Sequence, residues 1–163
     1  MRREFKRRLA SGARRQNMKL FFDTSALVKY FHEETGSQQI AALIEAKEHE
    51  RWISEIARVE FFSALFRRFR NGEINGDELQ AASLGFDDEL GTFNVEPMGH
   101  SVIAEAAILL QRFGKGHGLR TLDALHLATF NLIAEQDWRY VVADSALCNV
   151  ARLLGFEAIN PIE

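Results

Sequence analysis

The chain has 163 residues, of which 47% are hydrophobic and 26% charged, with 11 glycines, 2 prolines and 1 cysteine. This length and composition suit one compact domain with a substantial core, and they exclude a disordered or collagen-like chain. No apolar run approaches the roughly 20 residues that span a bilayer, so no membrane association is expected. Cys148 has no second cysteine to pair with, which excludes an intrachain disulfide and favours a cytoplasmic location.

The net charge of −3 is the sum of two unlike segments. Residues 1–17 carry seven basic side chains and one acidic one, whereas residues 18–163 carry 13 basic and 22 acidic ones. We therefore expect a poorly ordered basic tail at 1–17 and a folded domain at 18–163. The tail is open to three interpretations: an arm for phosphate backbones, a transit peptide, or an extension preceding a true start at Met18.

Short apolar strands and longer helices alternate from Met18 onward. The pattern predicts strands at 19–23, 51–54, 93–96, 139–143 and 156–159. It predicts helices at 24–31, 37–47, 56–69, 77–90, 101–113, 121–135 and 145–154. Such alternation is typical of an α/β domain, here a three-layer α/β/α arrangement around a short, mostly parallel sheet.

Two further local expectations come from composition. The helix at 56–69 is apolar most of the way round, so it is expected to be buried on several sides. The glycine-rich stretch at 114–118 is expected to be a flexible loop.

Two acidic residues occupy equivalent positions in this pattern. Asp23 ends the first predicted strand and Asp144 follows the fourth, and each precedes a helix. In an open parallel sheet, ligands bind beyond the carboxyl ends of the strands, where the strand order reverses. Aspartate is also a favourable helix N-cap, so a purely structural role is the alternative for both residues.

Two more acids lie on predicted helices. Asp123 is in the first turn of its helix, where it either complements the helix dipole or, if buried, needs a partner or a metal ion. Glu60 has the small neighbours Ser63 and Ala64, which leave room for a ligand, but an orientation toward solvent is equally compatible with the helix. Several carboxylates in one cleft repel each other unless protons or cations compensate them. Oxygen-only ligation favours Mg²⁺ or Mn²⁺, which assist phosphodiester cleavage.

Four segments of the chain resemble PIN-domain ribonucleases, especially VapC-type toxins of toxin–antitoxin systems. These segments are LFFDTSALVKY at 20–30, SEIARVE at 54–60, RTLDALHLAT at 120–129 and VVADSAL at 141–147. The resemblance implies a five-stranded parallel sheet, one or two Mg²⁺ or Mn²⁺ ions and hydrolysis of RNA. It also implies a cognate antitoxin and a homodimer.

The resemblance assigns roles to individual residues. It makes Asp23 and Asp123 direct metal ligands, and Glu60 a ligand or water-orienting group. Asp144 is a further candidate catalytic residue and metal ligand, at the position of the family's more variable fourth acid, and Ser25 places a hydroxyl near the metal or phosphate. Val142 departs from the pattern, since the family often has threonine or serine at that position.

The remaining motifs add candidates of lower specificity. The five histidines show no HxxxH or HxH spacing, so a zinc site is not predicted, and His126 is interpreted as a packing residue. Candidate contacts to RNA phosphates are Ser25, Arg67, Lys115 and Arg120. The predicted function is a metal-dependent endoribonuclease, the toxin of a type II toxin–antitoxin module. The alternatives are a non-catalytic PIN-like RNA-binding module and a phosphohydrolase acting on another phosphate ester.

Overall fold

The computed structural model describes residues 17–163, so residues 1–16 of the predicted basic tail lie outside the described residues. Within the described range, five strands form one sheet, all parallel, in the order β3-β2-β1-β4-β5. The strands are β1 (Lys19–Phe22), β2 (Glu50–Ser54), β3 (Asn94–Glu96), β4 (Trp138–Val141) and β5 (Glu157–Ile159). The helices of this range are α1 (Thr24–Phe31), α2 (Ser37–Glu45), α3 (Ile56–Arg70), α4 (Gly76–Leu90), α5 (His100–His117), α6 (Thr121–Ile133) and α7 (Ser145–Leu153).

The sheet separates two hydrophobic cores. Side chains of β1 alternate between its faces, so Leu20 and Phe22 join one core while Phe21 joins the other. The first core contains buried residues of α1 to α4, and the second contains buried residues of α5 to α7. Helices therefore cover both faces of the sheet, which confirms the predicted three-layer α/β/α architecture.

The strand order reverses beside β1. The chain passes from β1 outward to β2 and β3, and it then returns to place β4 and β5 on the other side. The carboxyl ends of β1 and β4 are neighbours, with Phe22 paired to Val141. This is the position in a parallel sheet at which a binding crevice is expected.

The segment 114–118 is not the flexible loop that its glycines predict. Helix α5 continues through Gly114 and Gly116 to His117, and only Gly118 adopts a left-handed conformation, with φ of +67°. Helical glycine costs about 1 kcal/mol relative to alanine, which packing elsewhere along a helix can offset. On α5 that packing comes from the buried side chains Val102, Ala106, Leu109 and Phe113.

The expectation that the helix at 56–69 is buried on several sides is wrong. Helix α3 buries only a narrow stripe, Ala57, Phe61 and Leu65. Val59 is 71% exposed and Phe66 is 46% exposed. The four-residue spacing of the buried side chains shows why, since only one face of α3 packs against α1 and α4.

None of the helices within residues 17–163 is long and apolar enough to cross a membrane.

Candidate active site

All four predicted acids line one pocket of about 490 Å³ at the carboxyl ends of β1 and β4. Asp23 directly follows β1, and Asp144 lies in the loop after β4. Asp123 is supplied by the first turn of α6, and Glu60 by the middle of α3. The structure therefore places on one surface residues that are up to 121 positions apart in the chain.

Asp23 and Asp144 are both helix N-caps, and each uses only one carboxylate oxygen for that purpose. The Oδ2 atom of Asp23 accepts a hydrogen bond from the Ser25 backbone N–H at 2.9 Å. The Oδ1 atom of Asp144 accepts from the Leu147 backbone N–H at 2.8 Å. The second oxygen of Asp23 lies 3.4 Å from the Tyr140 hydroxyl, which is fully buried. Capping thus fixes both carboxylates at the pocket and leaves an oxygen of each for another partner.

Glu60 is held by a buried histidine. The Nε2 atom of His126 lies 2.6 Å from Glu60 Oε2 and 3.2 Å from the Thr24 hydroxyl. Burial acts to raise the pKa of Glu60, but the hydrogen bond and charge of His126 outweigh it, so that the pKa is lowered. Burial acts to lower the pKa of His126, but the hydrogen bond that its ring N–H donates to Glu60 and the charge of Asp23 outweigh it, so that this pKa is raised. Glu60 therefore faces the pocket in its ionised form.

Asp123 lies in the most negative part of the pocket. Its pKa is raised, first by burial and then by the charge of Asp23, with a smaller contribution from Asp144. Arg120 opposes these effects because its Nε donates a hydrogen bond to Asp123 Oδ2 at 3.2 Å. The other end of the same guanidinium lies 3.9 Å from Asp144 Oδ2. Three carboxylates are thus close enough to repel one another, and Arg120 partly compensates them.

Three helices begin at this pocket. Helix α1 starts next to Asp23, α6 starts next to Arg120, and α7 starts next to Asp144. The N-terminus of a helix carries a partial positive charge and free backbone N–H groups. These helix N-termini stabilise the negative charge of the carboxylates, and they would likewise stabilise a phosphate group bound near them.

The chemistry of the donors fits a divalent cation, although the side chains do not form a finished ligand set. Among residues 17–163, no three histidine, cysteine or acidic side chains are grouped so that they could hold a metal ion. Two of the four acids already have another partner, since Glu60 contacts His126 and Asp123 accepts a hydrogen bond from Arg120. Four carboxylates on one pocket, with the pKa of Asp123 raised by burial and by the charge of Asp23, are still the oxygen-rich environment that Mg²⁺ and Mn²⁺ prefer.

The candidate phosphate contacts differ in their positions. Ser25, Arg67 and Arg120 line the pocket, and the Ser25 hydroxyl accepts a hydrogen bond from the Ala143 backbone N–H at 3.0 Å. This bond ties the loop after β4 to the start of α1. Lys115 lies on α5 and does not line the acidic pocket.

Sequence reasoning missed the contact of His126 with Glu60. His126 was interpreted as a packing residue, and it is indeed buried, but it also positions Glu60. Its position three residues after Asp123 on α6 was a usable signal, because residues at that spacing share a helix face. Arg68 also lines the pocket, and its guanidinium donates a hydrogen bond to Glu34 at 3.2 Å.

The sequence matches the PIN domain family over residues 20–153, a range that includes β2 to β4, all of β1 except Lys19, and all four acids. The chain belongs to the PIN domain family. The match confirms the resemblance drawn from the four sequence segments. A search of curated proteins finds no match to this chain.

Solved structures of PIN proteins share the fold at low sequence identity. VapC20 from Mycobacterium tuberculosis, a toxin that cleaves the sarcin-ricin loop, is 18% identical, with a TM-score of 0.66 over 87% of this chain and 99% of VapC20. FitAcB from Neisseria gonorrhoeae is 16% identical, with a TM-score of 0.62 over 87% of this chain and 97% of that one. A toxin–antitoxin complex from Klebsiella pneumoniae is 22% identical, with a TM-score of 0.59 over 88% of this chain and 98% of that one. At these identities the similarity shows the fold alone.

Proposed function

We propose that this PIN domain is a metal-dependent endoribonuclease and the toxin of a toxin–antitoxin module. The observation that carries the proposal is the convergence of Asp23, Glu60, Asp123 and Asp144 on one pocket at the strand-order reversal. Toxin–antitoxin proteins among the structures of the same fold, including one whose toxin cleaves an RNA loop, support the choice of RNA as substrate. They also support a cognate antitoxin as partner.

In this proposal, different residues of the pocket bind the metal, orient the water and contact the phosphate. Asp23 and Asp123 hold Mg²⁺ or Mn²⁺, with Asp144 as a further ligand. When bound, the ion supplies the Lewis acidity that activates water and stabilises the leaving oxygen of a phosphodiester. Glu60, kept ionised and oriented by His126, orients the attacking water through its carboxylate. Arg67, Arg120 and the helix N-termini at the pocket contact the phosphate groups of the RNA.

Substitution of the acids tests the site. We expect Asp23→Asn and Asp123→Asn each to lower RNA cleavage by roughly a thousandfold or more, because each removes a charged ligand while keeping the side-chain shape. Cleavage is measured on a panel of RNAs that includes a sarcin-ricin loop oligonucleotide. Asp88→Asn is the matched control, since Asp88 is exposed on α4 and outside the pocket. Thermal unfolding checks folding, and Asp123→Asn should not be destabilised, because burial and the charge of Asp23 already disfavour the ionised form of Asp123.

Chelation tests the metal. EDTA should abolish cleavage, and added Mg²⁺ or Mn²⁺ should restore it. Cleavage by the Asp23→Asn, Asp123→Asn double variant at the wild-type rate would refute the site assignment, and cleavage indifferent to EDTA would refute metal dependence. Metal and RNA binding without cleavage would indicate a non-catalytic RNA-binding module, while hydrolysis of other phosphate esters alone would indicate a different phosphohydrolase.

A further inference from the structure

Arg120 joins two of the acids at the pocket. Its guanidinium donates to Asp123 Oδ2 at 3.2 Å and lies 3.9 Å from Asp144 Oδ2. The side chain is nevertheless 76% exposed, because Arg120 is the N-cap residue of α6 and projects from the start of that helix. Its positive charge therefore lies against two proposed metal ligands, while most of its surface contacts water.

The same side chain lies where two cavities meet. Arg120, Asp123 and Asp144 line the acidic pocket and also a second cavity of about 330 Å³. The second cavity continues along the start of α7, past Ala146 and Leu147. A nucleic-acid strand that crosses the acids from one cavity to the other would pass the guanidinium.

We infer that Arg120 is an internal counterion of the metal-free site, one that a divalent cation must displace and that then contacts a phosphate of the RNA. This inference rests on the proposed function. Two cations cannot occupy the space between Asp123 and Asp144 without repelling each other, so binding of the ion and retention of both Arg120 contacts oppose each other. Exposed ion pairs are weak, and a long exposed side chain moves readily. Displacement of the Arg120 guanidinium from the two carboxylates therefore costs little free energy.

The competing view makes Arg120 a permanent support that holds Asp123 in place for the metal. The two views predict opposite changes in metal affinity when Arg120 is removed. If Arg120 competes with the ion, its removal tightens metal binding, whereas if it supports Asp123, its removal weakens metal binding. A direct binding measurement therefore separates them without reference to catalysis.

The experiment is isothermal titration of Mn²⁺ into the wild-type chain, Arg120→Gln and Arg67→Gln. We expect Arg120→Gln to bind Mn²⁺ about three- to tenfold more tightly than the wild type, the size set by loss of one charge at a partly screened site. Arg67→Gln is the matched control because it removes the same charge from the same pocket, and Arg67 has no ion pair with either acid. At saturating Mn²⁺, Arg120→Gln should also show a KM for RNA raised about three- to tenfold, because the phosphate contact is lost.

Each result has one consequence. Mn²⁺ binding by Arg120→Gln that is unchanged or weaker, while the wild type binds Mn²⁺ and cleaves RNA, would overturn the inference and leave the proposed function intact. Equal tightening by Arg67→Gln would also overturn it, because a general change in charge would then be sufficient. If neither the wild type nor Arg120→Gln binds Mn²⁺, the metal-dependent function fails, and the inference fails with it. Thermal unfolding of each variant confirms that the fold is retained.

Discussion

The contact between Glu60 and His126 links a pocket carboxylate to a buried ring whose charge depends on pH. The Glu60 side chain is 26% exposed and that of His126 is 1% exposed, so the pair is shielded from solvent. The pKa of Glu60 is lowered from its ordinary value of 4.5, and the pKa of His126 is raised from its ordinary value of 6.5. By linkage, the contribution of Glu60 to stability is lost as the pH falls through its lowered pKa. The contribution of His126 is fully present below 6.5 and is lost as the pH rises through its raised pKa.

We predict that Glu60→Gln is most destabilising in the window between 4.5 and 6.5, where both groups are charged. In that window the substitution should lower the free energy of unfolding by about 1.5–3 kcal/mol, the range for a hydrogen bond that involves charged groups. This destabilisation should become smaller at alkaline pH, because His126 of the wild type becomes neutral there. Urea unfolding of both proteins in EDTA, at about pH 5.5 and about pH 8.5, measures the difference.

The prediction would be contradicted if the difference in unfolding free energy between the wild type and Glu60→Gln did not change with pH. That result would mean that His126 is already neutral in the folded protein. A physical reason for that outcome exists, because the buried Nδ1 atom of His126 has no hydrogen-bond partner among the described residues. A protonated ring would leave that N–H unpaired, which opposes the effect of Glu60.

The acids were predictable as individual residues, but their partners were not. Asp23 and Asp144 follow apolar strands, and parallel strands place such positions at one edge of a sheet. The sequence does not determine the orientation of Glu60, because that orientation depends on which face of α3 packs inward. The contact between Glu60 and His126 spans 66 positions and depends on how α3 and α6 are placed, which no local pattern encodes.

At the scale of an element, two glycines at the end of α5 are expected to respond oppositely to substitution by alanine, one with a gain and the other with a loss of stability. Gly116 is helical, and a β-carbon added there meets nothing within 4 Å. We expect Gly116→Ala to stabilise the protein by about 0.5–1 kcal/mol, because alanine loses less backbone entropy in a helix. Gly118 ends the helix with a φ of +67°, so Gly118→Ala should destabilise by about 1 kcal/mol.

Urea unfolding of the two variants measures both effects. Neither glycine has a neighbouring atom within 4 Å of an added β-carbon, so a difference between the variants reports backbone conformation rather than a clash. If Gly116→Ala had no effect or destabilised the protein, the segment would be a flexible loop, as its glycine content alone suggests.

Other elements show what composition can and cannot predict. Each predicted strand and helix exists, with ends displaced by a few residues, because apolar periodicity and breaks at glycine and proline locate elements well. The apolar composition of α3 overestimates its burial, because phenylalanine on a helix does not by itself indicate a core position. Phe66 and Phe69 are instead 46% and 44% exposed, since α3 lies in an outer layer with one face covered.

At the scale of the whole molecule, the fold concentrates negative charge where the proposed substrate must bind. Residues 18–163 carry 22 acidic and 13 basic side chains, and four of the acids line the proposed active site. RNA is a polyanion, so its binding to such a surface requires cations close to the site. Within the acidic pocket these are Arg67, Arg68 and Arg120 together with the proposed metal ion. The remaining concentration of positive charge in the sequence is the segment 1–17.

We predict that this segment contributes to RNA affinity through charge and not to catalysis. A chain that starts at Met18 retains all four acids, so its rate of cleavage at saturating RNA should equal that of the full chain. Its RNA affinity should fall less steeply with salt than that of the full chain. For seven lost basic side chains, the slope of the logarithm of the RNA association constant against the logarithm of salt concentration should be shallower by up to about 5. Fluorescence anisotropy with the Asp23→Asn form of each chain measures the slope. A full-length chain with those seven residues replaced by glutamine separates charge from length, and equal slopes for all three chains would exclude an electrostatic role for the segment.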